Sequence, residues 1–304
     1  MRTPTDKLLN RVQRVDAYEE FVVLSGGTPI VLSVWAGKPN LAVVVFLPGT
    51  MTHPLFYEEF LDGLNRAGHT VVGVHSQGHG KSPRTRQRLT LARIVANAGD
   101  AIVWTRHRFP DTPIAVLGSS QGGIVAMALA SAGERVDMVI AHNILDPRLP
   151  STLEITRFPK WLRHVYPLLV VAFRGIGRLA PRMPVPFDVY LDITRVSRDA
   201  ANVEYFYTDP LGLRTYPLGF IATLFSADLS GIRNGGITCP VLVVAGRGDP
   251  LFPLPYTRQV YESIVAPSKE LLILESQVHL LFNEDLELAL PPLLSRLAVL
   301  ARSA

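Results

Sequence analysis

Residues 114–130 read IAVLGSSQGGIVAMALA, and the fold follows from the change of character halfway along. The first four residues are apolar and strand-like. The last eight are small or apolar and helix-like. Between them lies Gly118-Ser119-Ser120-Gln121-Gly122, a G-x-S-x-G pattern. A strand that turns at once into a helix through such a pattern puts the central serine on a tight, strained corner. Small neighbours let strand and helix approach closely, and the hydroxyl stands clear at the end of the sheet. Gly123 extends the small-residue patch. The pattern alone is common, so the strand before it and the helix after it give it weight. Ser120 is therefore the candidate nucleophile. Ser119 is its rival but lacks the flanking glycines in register.

Working outward, residues 41–47 (LAVVVFL) form an unbroken apolar run closed by Pro48-Gly49, as expected of a strand buried on both faces. Residues 20–24 and 30–35 flank Gly26-Gly27 and read as a hairpin. Phe56, Phe60, Leu61 and Leu64 recur at helical spacing over residues 56–67, ended by Gly68. Residues 69–75 predict the next strand and 91–108 a long amphipathic helix. Downstream, 136–141, 240–245 and 270–274 are strand-like, and 286–301 predicts a closing helix. Strands alternating with helices argue for a parallel sheet covered on both faces. The alternation fails between about residues 149 and 235, where Pro, Arg and aromatics gather without a clear strand. We read an insertion at 147–235 over the C-terminal edge of a core made of 1–146 and 236–304. Ligands of open α/β sheets bind at that edge.

A serine hydroxyl needs a base to take its proton, and the base needs a third group to orient it. Asp249 follows the apolar run PVLVVA, and His279 follows ELLILE. Both fall on loops at the strand ends, in the order nucleophile, acid, base. Asp249 could instead be a turn residue before Pro250. Asp146 and, more weakly, Glu275 are alternative acids. Acyl transfer also builds negative charge on a carbonyl oxygen, which backbone N–H groups stabilise. The residue after the nucleophile, Gln121, is one expected donor. The loop Pro48-Gly49-Thr50-Met51 supplies the other, with Thr50 first and Met51 as its substitute. Gly49 and Met51 would also touch the substrate.

The 304 residues, 48% of them hydrophobic, can bury a sizeable core. The formal charge of +4 is spread along the chain, without the clustered basic patch that nucleic acid requires. A single cysteine, Cys239, excludes an internal disulfide and fits a reducing compartment. Residues 1–10 are charged and polar, with no apolar leader. The longest apolar run, near 166–173, is far short of the ~20 residues that span a bilayer. These features predict a cytoplasmic protein. His75 and His79 have metal-ligand spacing for a helix, but glycines interrupt the stretch and no third ligand follows a known pattern. No phosphate-binding glycine motif occurs. Neither a metal nor an organic cofactor is expected.

Taken together, these islands resemble the monoacylglycerol lipase and lysophospholipase branch of the α/β-hydrolases. Pro48 to Met51 with Phe56-Tyr57-Glu58-Glu59 looks like that family's oxyanion loop and following helix. His75 to Ser82 is similar to its Gly-His-Gly-x-Ser loop, and Gly118 to Gly123 to its nucleophile elbow. Val196-Ser197-Arg198-Asp199 with Asp209-Pro210-Leu211 resembles the end of its lid. Gly246 to Asp249 and His279 would carry its acid and base. The sequence departs from the family at Pro48, where histidine is usual, around Ser76, at Ser119 and Gln121, and at Ser276-Gln277-Val278 before the base. The resemblance implies an α/β-hydrolase fold: a mostly parallel eight-stranded sheet, helices on both faces and a helical lid insertion. It implies hydrolysis of a small-molecule or lipid-like carboxylic ester through an acyl-enzyme on Ser120. An acyltransferase, a cofactor-free perhydrolase or a non-catalytic binding protein on the same scaffold are the alternatives. Within the insertion, Trp161 and Phe173 stand among apolar residues interleaved with Arg157, Lys160, Arg163, Arg174 and Arg178. An apolar face with a basic rim suits an acyl chain or peripheral contact with a membrane.

Overall fold

The computed structural model describes residues 12–84, 89–197 and 199–303. The polar residues 1–10 and Arg198 lie outside the described residues. The hairpin forms from β1 (Tyr18–Ser25) and β2 (Thr28–Trp35). Gly26 and Gly27 both take positive φ (53° and 79°), as a two-residue turn joining twisted antiparallel strands requires. There follow β3 (Val43–Leu47), α1 (Glu58–Arg66), β4 (Thr70–His75), α2 (Leu91–Arg108), β5 (Ile114–Ser119), α3 (Gln121–Ser131) and β6 (Met138–His142). After a long excursion the chain returns as β9 (Val241–Gly246), α7 (Leu254–Glu262), β10 (Lys269–Leu274) and α8 (Leu286–Ser303).

The eight long strands form one sheet in the order β1-β2-β4-β3-β5-β6-β9-β10. Only β2 runs against its neighbours; every pairing from β4 to β10 is parallel. Strands β3, β5 and β9 are buried at every residue, which is why they read as unbroken apolar runs rather than alternations. α2 and α3 pack together on one face, and α1 and α8 on the other. α2 begins at Thr90, whose hydroxyl accepts the Arg93 N–H (3.2 Å).

From β3 the chain steps to β4 on one side and then to β5 on the other. The C-terminal ends of β3 and β5 therefore flank the switch point, where helices leave in opposite directions and a crevice opens. Gly49-Thr50 follows β3 and Ser120 follows β5 at that crevice.

Between β6 and β9 lie α4 (Tyr166–Leu179), α5 (Ala200–Thr208), α6 (Leu218–Leu224) and short 3-10 turns. This stretch also holds a two-stranded antiparallel ribbon, β7 (Pro184–Pro186) with β8 (Thr215–Pro217). The ribbon corrects the expectation of no strand here. Three-residue, proline-bearing strands are too short to leave an alternating pattern. Among the described residues, no helix is long and apolar enough to cross a membrane.

Candidate active site

The turn from β5 into α3 is tightly constrained. Ser120 adopts φ 52° and ψ −115°, a conformation disfavoured for any residue with a Cβ. Its neighbours explain how the turn is accommodated. A Cβ on Gly118 would lie 2.1 Å from the Gly122 carbonyl oxygen, and one on Gly122 would lie 2.0 Å from the Leu47 carbonyl oxygen. A Cβ on Gly123 would lie 2.3 Å from the Asn143 carbonyl oxygen. The glycines thus let α3 pass against the ends of β3 and β6. Ser120 occupies the N-cap of α3 but makes no capping bond. Its Oγ lies 3.1 Å from His279 Nε2 instead.

His279 arrives on the loop after β10, and its Nδ1 lies 3.0 Å from Asp249 Oδ2 on the loop after β9. A carboxylate accepts only, so Nδ1 carries the proton and Nε2 is left to accept from Ser120. Phe252 stacks on the His279 ring (5.5 Å between centroids, 8° between planes). The other oxygen of Asp249 accepts the N–H groups of Leu251 (2.8 Å) and Phe252 (2.9 Å). Burial works to raise the Asp249 pKa. His279, as a charge and as a hydrogen-bond donor, and the Phe252 N–H outweigh burial and hold it below the ordinary carboxylate value.

The rival residues lie elsewhere. Ser119 is buried with its Oγ 3.3 Å from His142 Nδ1, away from His279. Asp146 pairs with Arg233 (2.5 Å), and exposed Glu275 pairs with Arg247 (2.7 Å).

Asn143, which the sequence did not single out, stands beside the acid. Its Nδ2 donates to Asp249 Oδ2 (3.1 Å) and lies 3.1 Å from His142 Nε2. Burial lowers the His142 pKa to about 3, so the ring is neutral. Nδ1–H donates to Ser119, and Nε2 accepts from Asn143. A continuous chain therefore runs from Ser119 through His142 and Asn143 to Asp249. The reversed Asn143 amide would set an oxygen against the carboxylate. The available sequence signal was position, since Asn143 directly follows β6, and its φ of 66° is one that asparagine tolerates.

The loop after β3 faces Ser120 from across the crevice. The Gly49 N–H donates to Tyr57 Oη (3.2 Å), the Met51 N–H to Tyr216 Oη (3.0 Å) and the Thr52 N–H to the Gly49 carbonyl (3.3 Å). Among the described residues, the Thr50 N–H has no such partner, nor has the Gln121 N–H at the start of α3. Of the two donors expected in this loop, Met51 is thus already committed and Thr50 is not. The side chains of Thr50 and Gln121 meet across the crevice (3.2 Å).

A cavity of about 60 Å³ opens over Ser120 and His279, with Gly49, Thr50, Met51 and Gln121 at its polar end. Leu145, Ile155, Leu191, Phe206 and Phe225 give the remainder an apolar wall. A second cavity of about 270 Å³ lies beneath α4, lined by Phe158, Leu169, Phe173 and Ile176. Thr156 and Phe225 border both. Phe173 thus lines the second cavity only. Trp161 lines neither and is 66% exposed on the surface of the insertion. His75 and His79 do not face one another as ligands. His75 Nε2 meets Ser33 Oγ (2.9 Å), and His79 Nε2 meets Tyr216 Oη (2.8 Å).

Residues 38–286 match the profile of the Hydrolase_4 family, serine aminopeptidase S33. The chain belongs to this family. Among its relatives, this hydrolase is 28% identical over 265 residues to a monoacylglycerol lipase of Mycolicibacterium smegmatis, covering 85% of this chain and 89% of the relative. Its fold is also that of two solved structures. One is a monoacylglycerol lipase of Paleococcus ferrophilus, with a TM-score of 0.70, 20% identity and coverage of 89% of this chain and 99% of the other. The second is a soluble variant of the monoglyceride lipase of Saccharomyces cerevisiae in complex with a substrate analog. It gives a TM-score of 0.73, 14% identity and coverage of 95% and 97%.

Proposed function

We propose that this protein, an ester hydrolase, cleaves esters of a single apolar acyl chain such as monoacylglycerols, through an acyl-enzyme on Ser120. The observation that carries this reading is the hydrogen-bonded chain Ser120–His279–Asp249 at the mouth of an apolar cavity. Ser120 Oγ attacks the ester carbonyl carbon while its proton passes to His279 Nε2. Asp249 stabilises the imidazolium and keeps its orientation. The carbonyl oxygen, now negative, accepts from the uncommitted N–H groups of Thr50 and Gln121, and each such donor is worth roughly 3 kcal/mol in the transition state. The positive end of α3 adds to this. The tetrahedral adduct collapses, breaking the bond to the alcohol oxygen, which leaves with the proton from His279. His279 then takes a proton from water, whose oxygen attacks the acyl carbon; the adduct breaks its bond to Ser120 Oγ, which takes the proton back from His279, and the carboxylic acid is released.

The apolar walls of the two bordering cavities support an acyl chain as the part of the substrate that is buried. Residues 147–235 would act as a lid on a core made of 1–146 and 236–304. Leu168 (70% exposed), Val171 (65%) and Leu179 (88%) project from α4 beside exposed Arg163, Arg174 and Arg178. That pattern supports peripheral contact with an anionic membrane surface. The one cysteine, buried and free, suits the cytoplasm.

A fluorophosphonate probe tests the mechanism. We expect a stoichiometric adduct on Ser120, absent in Ser120→Ala and strongly slowed in His279→Ala, with monoacylglycerol turnover lost in parallel. Folded wild-type protein that neither reacts nor turns over any ester would overturn the reading. A competing alcohol in the assay separates hydrolysis from acyl transfer.

A further inference from the structure

Three islands of sequence lie near the active site without belonging to the triad: the loop after β3, the stretch from His75 to Ser82, and the stretch of the inserted segment from Asp209 to Pro217. They converge on one residue. Met51 adopts a left-handed conformation (φ 63°) that a side chain of this kind rarely takes. Both polar groups of its backbone are held by the insertion. Its N–H donates to Tyr216 Oη (3.0 Å) and its carbonyl accepts the Leu213 N–H (3.0 Å). Two residues on, His53 Nε2 pairs with Asp209 Oδ2 (2.7 Å), both side chains being buried.

Tyr216 lies in β8, is fully buried, and packs against Phe220 (4.5 Å between ring centroids). The direction of its hydrogen bonds can be worked out. His79 Nδ1 lies 2.9 Å from the Gln77 carbonyl oxygen, which can only accept, so Nδ1 carries a proton. Burial keeps this ring neutral at ordinary pH by lowering its pKa to about 4, so Nε2 is an acceptor. The Tyr216 hydroxyl, 2.8 Å away, therefore donates to His79 Nε2, and its oxygen is free to accept from Met51. The sequence of bonds runs Met51 N–H to Tyr216 O, Tyr216 O–H to His79 Nε2, and His79 Nδ1–H to the Gln77 carbonyl.

This matters for Thr50 because its two flanking peptide planes are fixed by different partners. The Gly49 carbonyl accepts from the N–H and Oγ1 of Thr52 (3.3 and 2.9 Å), which turns the opposite end of that plane, the Thr50 N–H, the other way. The next plane is pinned at the Met51 N–H by Tyr216. We propose that Tyr216 is a positioning residue for the oxyanion hole: the inserted segment, through Tyr216 backed by His79, holds the Met51 peptide so that the Thr50 N–H stays aimed at the reacting carbonyl. The inference rests on the hydrolase reading above. It makes the insertion part of the transition-state machinery as well as a cover.

The test is Tyr216→Phe, which keeps the ring and removes only the hydroxyl. An oxyanion donor acts in the transition state and hardly in the ground state, so its displacement lowers kcat and leaves KM nearly unchanged. A small misaiming of one donor is expected to lower kcat by ~10- to 100-fold. Binding of a trifluoromethyl ketone, whose adduct with Ser120 carries the same oxyanion, should weaken by a similar factor. His79→Gln, which retains an acceptor for the tyrosine proton, should fall between wild type and Tyr216→Phe. If Tyr216→Phe does not fold, His79→Ala carries the test, with a smaller loss of kcat at constant KM. The inference is overturned if folded Tyr216→Phe keeps kcat within twofold, or if its KM rises while kcat and ketone affinity hold. Folded wild-type protein that the fluorophosphonate probe leaves unlabelled and that turns over no ester would overturn the hydrolase reading and this inference with it. A labelled wild type beside an unimpaired Tyr216→Phe overturns this inference alone.

Discussion

Taking a solution of this protein from pH 7 to pH 5 should weaken the fold in a window set by buried histidines. His142 and His79 are fully enclosed, and burial lowers their pKa values to about 3 and about 4. In the unfolded chain each returns to the ordinary value of about 6.5. Below that value the unfolded state binds protons that the folded state refuses, so stability falls as pH falls, until the folded-state values are reached. Between pH 7 and pH 5 each of these two histidines removes about 2 kcal/mol, or about 4 kcal/mol together. His75, also held well below its ordinary value chiefly by burial, acts in the same direction. Against a typical total of 5–15 kcal/mol this is a large fraction. Asp249, whose pKa is depressed below 3.8, contributes only at more acidic pH, so the window from 7 to 5 isolates the histidines. Urea unfolding followed by far-UV circular dichroism at pH 7, 6 and 5 would show the midpoint dropping by roughly 1 M or more. In His142→Gln the loss over the same interval should shrink by about 2 kcal/mol. A midpoint that does not move between pH 7 and pH 5, or an unchanged pH dependence in His142→Gln, would refute the assignment of these rings as buried and neutral.

Other consequences follow from the same geometry. Gly122→Ala should abolish soluble expression, because its Cβ would lie 2.0 Å from a backbone oxygen of Leu47. Gly175→Ala, inside α4 with nothing within 4 Å of the added carbon, should instead raise stability by about 0.5–1 kcal/mol in a thermal melt. Asn143→Gly keeps the left-handed backbone and removes the amide that donates to Asp249; kcat for a soluble ester should fall roughly 10-fold. Asp249→Asn should lower kcat by roughly 10³- to 10⁴-fold with little change in melting temperature. Asp146→Asn should do the reverse, reducing stability by roughly 3 kcal/mol through its lost pairing with Arg233 while kcat is retained.

The parts of the molecule that were legible in the sequence share one property: their signal is local. β3, β5 and β9 are buried on both faces, so their residues form apolar runs that need no partner to be recognised. Ser120 and Asp249 follow such runs at the ends of β5 and β9, and His279 follows the apolar edge strand β10. Strand ends could therefore be used to bring them to one edge, and in the structure they stand within hydrogen-bond reach of one another. What could not be read depends on pairs far apart in the chain. Asn143 meets Asp249 across 106 residues, and Tyr216 meets Met51 across 165. The β7–β8 ribbon joins two three-residue strands separated by residues 187–214. Trp161 shows the converse error. Its apolar neighbours suggested a substrate wall, yet Trp161 sits on a short 3-10 turn before α4, and local composition does not say which side of such a turn faces inward.

The way the insertion is fastened limits how it can be exchanged. Its entry, from Pro147 through α4, packs mainly by side-chain contact and could accept foreign sequence of the same shape. Its stretch from Asp209 to Pro217 is stitched to the backbone of the loop after β3 and to His53. A chimera that imports a relative's segment in place of part of residues 147–235 should therefore keep residues 209–217 of the recipient and splice upstream of them. A graft that replaces this seam must bring along the donor's own loop after β3 and its counterpart of His79, because these segments behave as one transferable unit although they are scattered through the chain.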